Sequence, residues 1–296
     1  MSNRYKWTLE KVKKRLKDGY GRGFGADYKP FLTVMDVPSS TTVSRLLGMK
    51  TQRTHHYFSF LEVSFHHILE YSPKVMDIRE QFPLPLEETL EIAQQQGIAH
   101  PGLYRKFDVA FVMTTDFFID CFDGERTTVI ARAIKPSNYK HNKRVCEKLK
   151  LEQIYWNNRG IDWGVITEDN IPSALVKNLE WIHSSGLYWN FNNLTKSDIL
   201  TVKDYLNRYI IEQCPISTAG KEIDTRLKLI PGSTMTVFRF LLANHVYKAD
   251  LFTLFDLNQP MNVTQTNISI ESVVNNYERD FGQYHNLLAQ RQKRSV

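Results

Sequence analysis

The feature that most constrains this chain is a turn, Asp123-Gly124-Glu125-Arg126, set between FFIDCF on one side and TTVIARAIK on the other. A polar, glycine-containing turn between runs of β-branched and aromatic residues predicts a β-hairpin. A four-residue loop at 123–126 pairs position 122 with 127, which places Asp116 opposite Ala133 and Lys135 opposite Thr114. Residues 114, 116, 133 and 135 then share one face of the ladder, with Asp116 and Lys135 as diagonal neighbours roughly 7 Å apart at Cα. A carboxylate and an ammonium aimed into one space suit a divalent ion and its water, with the lysine orienting or stabilising the attacking hydroxide. The same pair also fits a strand-end salt bridge of small energetic weight.

Around the hairpin the pattern is that of a mixed α/β unit. FDVAFVM (107–113) reads as a strand ahead of FFIDCF, and KVMDIREQFPL contains a further short strand. Helical spacing predicts helices over Leu86 to Gln95 and from about Lys140 to Asn158, the latter stopped by Gly160, and IDWGVIT supplies one more strand. Upstream, Leu9, Val12 and Leu16 predict a first helix with Thr8 as its cap, Gly19 as its terminator and a lysine-rich outer face. GYGRGFG (19–25) permits a close backbone approach, as a loop or as a phosphate contact, but lacks the G-K-[ST] of a P-loop. A second helix from Ser59 to Tyr71 carries the stripe Leu61, Phe65, Ile68 and Leu69, with Ser59 and Glu62 placed as a capping box.

From Pro172 onward helices dominate, over 173–183, 196–211 capped by Thr195, and 234–245. VYKADLFTL after them forms a wing or a further strand. The chain therefore reads as two domains, an α/β domain over 1–170 and a helical domain over 171–296 that ends in a frayed basic tail, QRQKRSV.

Two helices offer carboxylates to the hairpin. Val145, Lys148, Leu149, Glu152, Tyr155 and Trp156 share the apolar face of their helix, which aims Glu152 at the sheet, unless it pairs with Lys148 along the helix. Glu62 flanks the stripe of the earlier helix, with a ligand role and a purely capping role equally consistent with its position. Oxygen donors of this kind suit magnesium or manganese. Asp108, Asp120 and Asp123 read as turn or solvent-facing groups, although Asp120 shares the face of Asp116. His55-His56 and His66-His67 look like metal ligands, but adjacent residues diverge, and they are expected at the surface or beside nucleic acid.

The bulk properties exclude some classes. No run approaches the roughly 20 apolar residues of a spanning helix, and MSNRYKWTLEKVKKRLKDG has no apolar segment of a secretory signal behind it, so a cytoplasmic location is expected. Cys121, Cys146 and Cys214 lack metal or disulfide spacing and are expected to be core thiols. A net charge of +6 favours polyanions without requiring them. The basic first helix and Lys140 to Arg144 are candidate DNA contacts.

Taken together, GYGRGFGADYKP, YFSFLEVSFHHILEYSPKVMDIREQFPL, TTDFFID with AIKPS, and KLKLEQIYW resemble, in that order, the TnsA family of transposon endonucleases. The resemblance spans 19 to about 170, is most specific at VMDIREQFPL, and is loose in the C-terminal half. It implies a restriction-endonuclease-like catalytic domain of the PD-(D/E)xK class followed by a winged-helix-like, partner-binding domain. It also implies a magnesium-dependent DNA endonuclease, with manganese able to substitute, that hydrolyses phosphodiesters at the 5′ ends of a transposon in the bacterial cytoplasm. The family's metal site maps onto Glu62, Asp116, position 133 and Lys135, with Glu152 as an additional glutamate. Position 133 departs from the pattern, being Ala where the family has an acidic residue or Gln. The Ile134 carbonyl then becomes a metal ligand beside Glu62 and Asp116, with Glu62 or Glu152 completing the shell. Implied partners are transposon-end DNA, a TnsB-type DDE transposase cutting the other strand, and a TnsC-type AAA+ regulator. Arg79 and Glu80, otherwise read as part of a buried ion-pair network, would hold the sheet or a substrate-facing loop. Two rivals remain open: a stand-alone restriction or repair nuclease, and a catalytically silent assembly subunit, for which Ala133 is the best argument.

Overall fold

A computed structural model describes residues 7–37, 42–102, 110–183 and 194–274, and the chain divides into two compact units, Met1–Pro172 and Ser173–Val296. In the first unit, α1 (Leu9–Lys17) is capped by the Thr8 side chain, which accepts from the Lys11 N–H. A small hairpin follows, β1 (Ser44–Leu47) with β2 (Thr54–Tyr57), and then α2 (Phe60–Tyr71). The central sheet has the order β3 (Val75–Pro83), β4 (Thr114–Phe122), β5 (Thr127–Ile134), β6 (Asp162–Ile166). Its first two pairings are antiparallel and the last is parallel. A parallel pair cannot be closed by a tight turn, and α4 (Lys143–Asn157) makes that crossover, while α3 (Leu86–Gln95) joins β3 to β4.

Both faces of the sheet are covered, because alternate residues of β4 point to opposite sides. On one side Phe118 stacks on Trp156 of α4 and joins Ile92, Ala93, Ala131, Leu151 and Tyr155 in a core. On the other side Phe117 stacks on Tyr57 and meets Phe65 of α2 edge-on. The hairpin register is Phe122 with Thr127 through Phe117 with Arg132, which continues to Asp116 beside Ala133.

Several sequence expectations are corrected here. The strand expected over 107–113 is not seen in the described part of that segment: residues 107–109 lie outside the described residues, and 110–113 run irregularly, tied by Phe111 N–H to Pro101 O and by Leu84 N–H to Met113 O. The apolarity of that segment reflects burial of Ala110 and Met113 as loop residues. The KVMDIREQFPL strand is nine residues long rather than short. Helix α4 starts at Lys143 because Asn142 caps it through the Val145 N–H, and 137–141 form a 3₁₀ turn instead. The three cysteines are free and each only partly buried. The glycine-rich segment packs against its own chain: a Cβ on Gly21 would lie 2.2 Å from Pro83 Cγ. The tail QRQKRSV lies outside the described residues.

The second unit contains α5 (Ser173–His183), α6 (Lys196–Ile211), α7 (Ile216–Leu227) and α8 (Ser233–Ala243), followed by a two-stranded antiparallel sheet of β7 (Tyr247–Ala249) and β8 (Val263–Gln265). Ile199, Val202, Leu206, Ile216, Ile223, Phe238 and Leu241 are fully or almost fully buried. Asp224 at the end of α7 accepts from the Gly232 and Thr234 N–H groups, capping α8. No described helix is long and apolar enough to cross a membrane.

Candidate active site

Asp116 stands near the start of β4 and Lys135 follows the last residue of β5. Lys135 Nζ donates to Asp116 Oδ2 at 2.6 Å and to the Ile134 carbonyl at 2.7 Å. The same Asp116 oxygen accepts the Ile134 N–H at 2.7 Å. Asp116, Ile134 and Lys135 are therefore tied into one knot at the end of the hairpin, and Oδ1 of Asp116 is outside all three bonds. Ala133, opposite Asp116, is fully buried.

Glu62 and Glu152 reach the same place electrostatically. Glu62 is 6% exposed on the first turn of α2. Its own N–H donates to Ser59 Oγ, while its carboxylate accepts from the Ser59 hydroxyl at 2.9 Å and from the Phe58 N–H at 3.1 Å. The capping interaction thus exists, but it reaches back to the Phe58 N–H. Burial, and then the charge of Asp116, push the Glu62 carboxyl up to about 7. Glu152 projects from the buried face of α4, where Oε1 accepts from Thr115 Oγ1 at 2.8 Å and from Trp163 Nε1 at 3.0 Å. Trp156 Nε1 in turn donates to Thr115 Oγ1. Glu152 too is pushed up to about 7, by burial first and Asp116 second. Burial opposes the Lys135 ammonium, but Asp116, Glu152 and Glu62 outweigh it and raise the lysine pKa.

Three carboxyl groups thus act on one ammonium, and two of them are partly protonated near neutral pH, first because they are buried and second because the Asp116 charge lies close to them. A hard divalent cation suits the oxygen donors present, which are carboxylates and the Ile134 carbonyl. The donor set therefore fits magnesium or manganese.

Gln81 is a residue the sequence did not single out. Since 80 pairs with 117 and 82 with 115, Gln81 lies across from Asp116, and its φ is +50°, a left-handed conformation that a non-glycine residue adopts only under local constraint. Its side chain accepts from Thr114 Oγ1. Thr115 and Trp163, which hold Glu152, were likewise unforeseen, and nothing in their spacing announced them.

Arg79 and Glu80 do enter ion pairs, on opposite faces of β3, the Arg79 pair part-buried and the Glu80 pair buried. Arg79 pairs with Asp120 at 2.5 Å. Glu80 accepts from Arg53 and from His55 Nδ1. Against the burial penalty, the charge of His55 and the bonds from Arg53 and His55 hold the Glu80 carboxyl well below the usual range. Asp120 is consequently buried rather than solvent-facing. Asp123 caps the hairpin turn by accepting from the Glu125 and Arg126 N–H groups, and Asp108 lies outside the described residues. The histidines also depart from expectation: His55, His66 and His67 are buried, not at the surface. The reason is that β2 and α2 face each other across the core, so His55 and His66 meet even though each diverges from its sequence neighbour.

Comparison with known proteins extends this picture. Residues 72–168 match the family model described as TnsA-like endonuclease N terminal, and residues 170–251 match TnsA endonuclease C terminal. Asp116, Ile134, Lys135 and Glu152 fall within the first match, and Glu62 lies ahead of it. The second match carries the similarity well into the helical unit, where the sequence motifs were loose. The chain is 35% identical over 250 residues to the transposon Tn7 transposition protein TnsA of Escherichia coli, which covers 84% of this chain and 88% of that protein.

Proposed function

The chain belongs to the TnsA endonuclease family, and from that premise we propose that it is the metal-dependent subunit of a cut-and-paste transposase that cleaves the 5′ ends of the element. The observation that carries this reading is the knot of Asp116, Ile134 and Lys135 with Glu62 and Glu152 acting on it. Residues 1–170 would hold the catalytic site, and 171–296 would bind partners.

In this reading Glu62, Asp116 and the Ile134 carbonyl hold magnesium, or manganese in its place. When bound, such an ion supplies a nucleophilic hydroxide at neutral pH and stabilises the leaving oxygen of the phosphodiester. Asp116 keeps Oδ2 on the Ile134 N–H and the lysine, so Oδ1 is the oxygen it offers. A carbonyl oxygen has two lone pairs, so Ile134 can keep its bond to Lys135 while serving as a ligand. Lys135 places an ammonium beside the attacking oxygen and offsets charge developing on the phosphate. Glu152, held by Thr115 and Trp163, would complete the shell in place of the side chain missing at Ala133, once it has given up the proton that burial and Asp116 favour in the metal-free site.

We place the protein with transposon-end DNA, a TnsB-type transposase that cuts the opposite strand, and a TnsC-type AAA+ regulator. The second reading, a silent assembly subunit, draws on Ala133 alone. The deciding experiment is cleavage of end-bearing duplex by chain and partner transposase together, with magnesium and with chelator. Magnesium-dependent nicking at the 5′ ends supports the endonuclease. Assembly without such nicking would leave only the silent subunit, and nicking by the chain alone would indicate a stand-alone nuclease.

A further inference from the structure

One and two turns of α2 beyond Glu62, and on the facing strand β2, a second cluster is built from different donors. His55 of β2 and His66 and Glu70 of α2 are fully or almost fully buried, and one ligand atom from each lies within 4.8 Å of the others. The imidazole centroids are 4.7 Å apart. His66 and Glu70 are one helical turn apart on the same face, with His66 Nε2 3.8 Å from Glu70 Oε1.

The surroundings hold each group by its other end. His55 Nδ1 meets Glu80 Oε2 at 2.8 Å, and His66 Nδ1 meets the Tyr57 hydroxyl at 2.6 Å. Glu70 Oε2 accepts the Met49 and Lys50 N–H groups at 2.8 and 3.2 Å. Glu70 Oε1 is buried with no hydrogen-bond partner among the described residues, a costly state for a carboxylate oxygen. A carboxylate on the outer nitrogen of a ligating histidine is the usual support of a metal centre, because it fixes the tautomer and raises ligand basicity.

We infer that His55, His66 and Glu70 form a buried metal site of the zinc class, separate from the Asp116–Lys135 pair. Two imidazole nitrogens and one carboxylate select zinc over magnesium, which favours an all-oxygen shell. Binding exchanges the 2.7 Å contact between His55 Nε2 and Thr51 Oγ1 for a nitrogen–metal bond, with the Nδ1 proton retained toward Glu80. The ion would tie α2 to the β1–β2 hairpin and so fix the helix that presents Glu62 one turn before His66.

The test uses the full-length protein stripped with chelator, then given one metal at a time. We expect about one zinc retained per chain after desalting, an unfolding midpoint raised by roughly 5–10 °C at saturating zinc, and visible absorption bands with cobalt(II) that zinc displaces. Asp116→Ala should keep the band and the stoichiometry, and Glu70→Gln and His66→Asn should lose both while retaining far-ultraviolet helicity. The cobalt band of the unmodified chain needs no variant, so a misfolded variant leaves the test intact. No band and no zinc-dependent midpoint shift in the unmodified chain would overturn the site, as would loss of the band in Asp116→Ala. Neither result depends on whether the protein cuts DNA.

Discussion

Lys135 reaches across the end of the β4–β5 hairpin to Asp116 at 2.6 Å while also holding the carbonyl of Ile134. One ammonium is thereby bonded to two of the residues expected around a metal, with two further carboxyl groups in its field. The consequences are measurable.

Removing either partner should abolish chemistry while leaving assembly intact. Asp116→Ala and Lys135→Ala are each expected to lower the cleavage rate by about 10²–10³-fold or more, with binding to end-bearing DNA and partner transposase within a few-fold of the unmodified protein by gel shift. Loss of binding in parallel with cleavage would indicate a structural ion pair.

Cleavage should rise with pH. Glu62 and Glu152, pushed up to about 7, must ionise to bind a cation, so single-turnover rates at limiting magnesium are expected to increase from pH 6 to 8. Because the ion competes with the protons, saturating magnesium should move the midpoint down. A profile flat over that range at limiting magnesium would contradict the assignment.

The same carboxyls affect folding with the opposite sense. Their folded pKa values lie above the ordinary 4.5, so the stability they contribute is full below about 4.5 and is lost as pH rises through about 7. Metal-free protein should therefore unfold at lower urea at pH 8 than at pH 5.5, and magnesium should reverse the difference. Glu152→Gln should gain about 1–2 kcal/mol at pH 8 and lose cleavage. Glu80 acts in a different window, since its depressed pKa withdraws stability only as pH falls below about 4.5.

The buried Arg53–Glu80–His55 network should matter for folding rather than chemistry. Glu80→Gln leaves the Arg53 guanidinium buried without its charge partner, and is expected to cost about 3–5 kcal/mol, measured as a shift in the urea midpoint. A loss under about 1 kcal/mol would mean that solvent reaches Arg53.

What could be read from the sequence followed the strength of local patterning. The hairpin register came from counting across a four-residue loop, and it places Asp116 and Lys135 as the structure has them. Helices α1, α2 and α6 announced themselves through the caps Thr8, Ser59 and Thr195, which the structure bears out. Helix α7 did not, because ISTAGKEIDTRL mixes good apolar spacing at Ile216, Ala219 and Ile223 with weak helix formers and a preceding proline. The β1–β2 hairpin was hidden because its inward positions include His55 beside Tyr57, and a histidine does not read as core. Only long-range packing reveals that His55 meets His66, or that Thr115 and Trp163 hold Glu152.

The most direct test is strand-specific cleavage of a DNA carrying the transposon end, in the presence of magnesium and partner transposase, comparing unmodified protein with Asp116→Ala and Lys135→Ala. We expect both variants to lose cutting at the 5′ ends alone while the other strand is still cut. Unchanged cutting of both strands would contradict the assignment of chemistry to this hairpin.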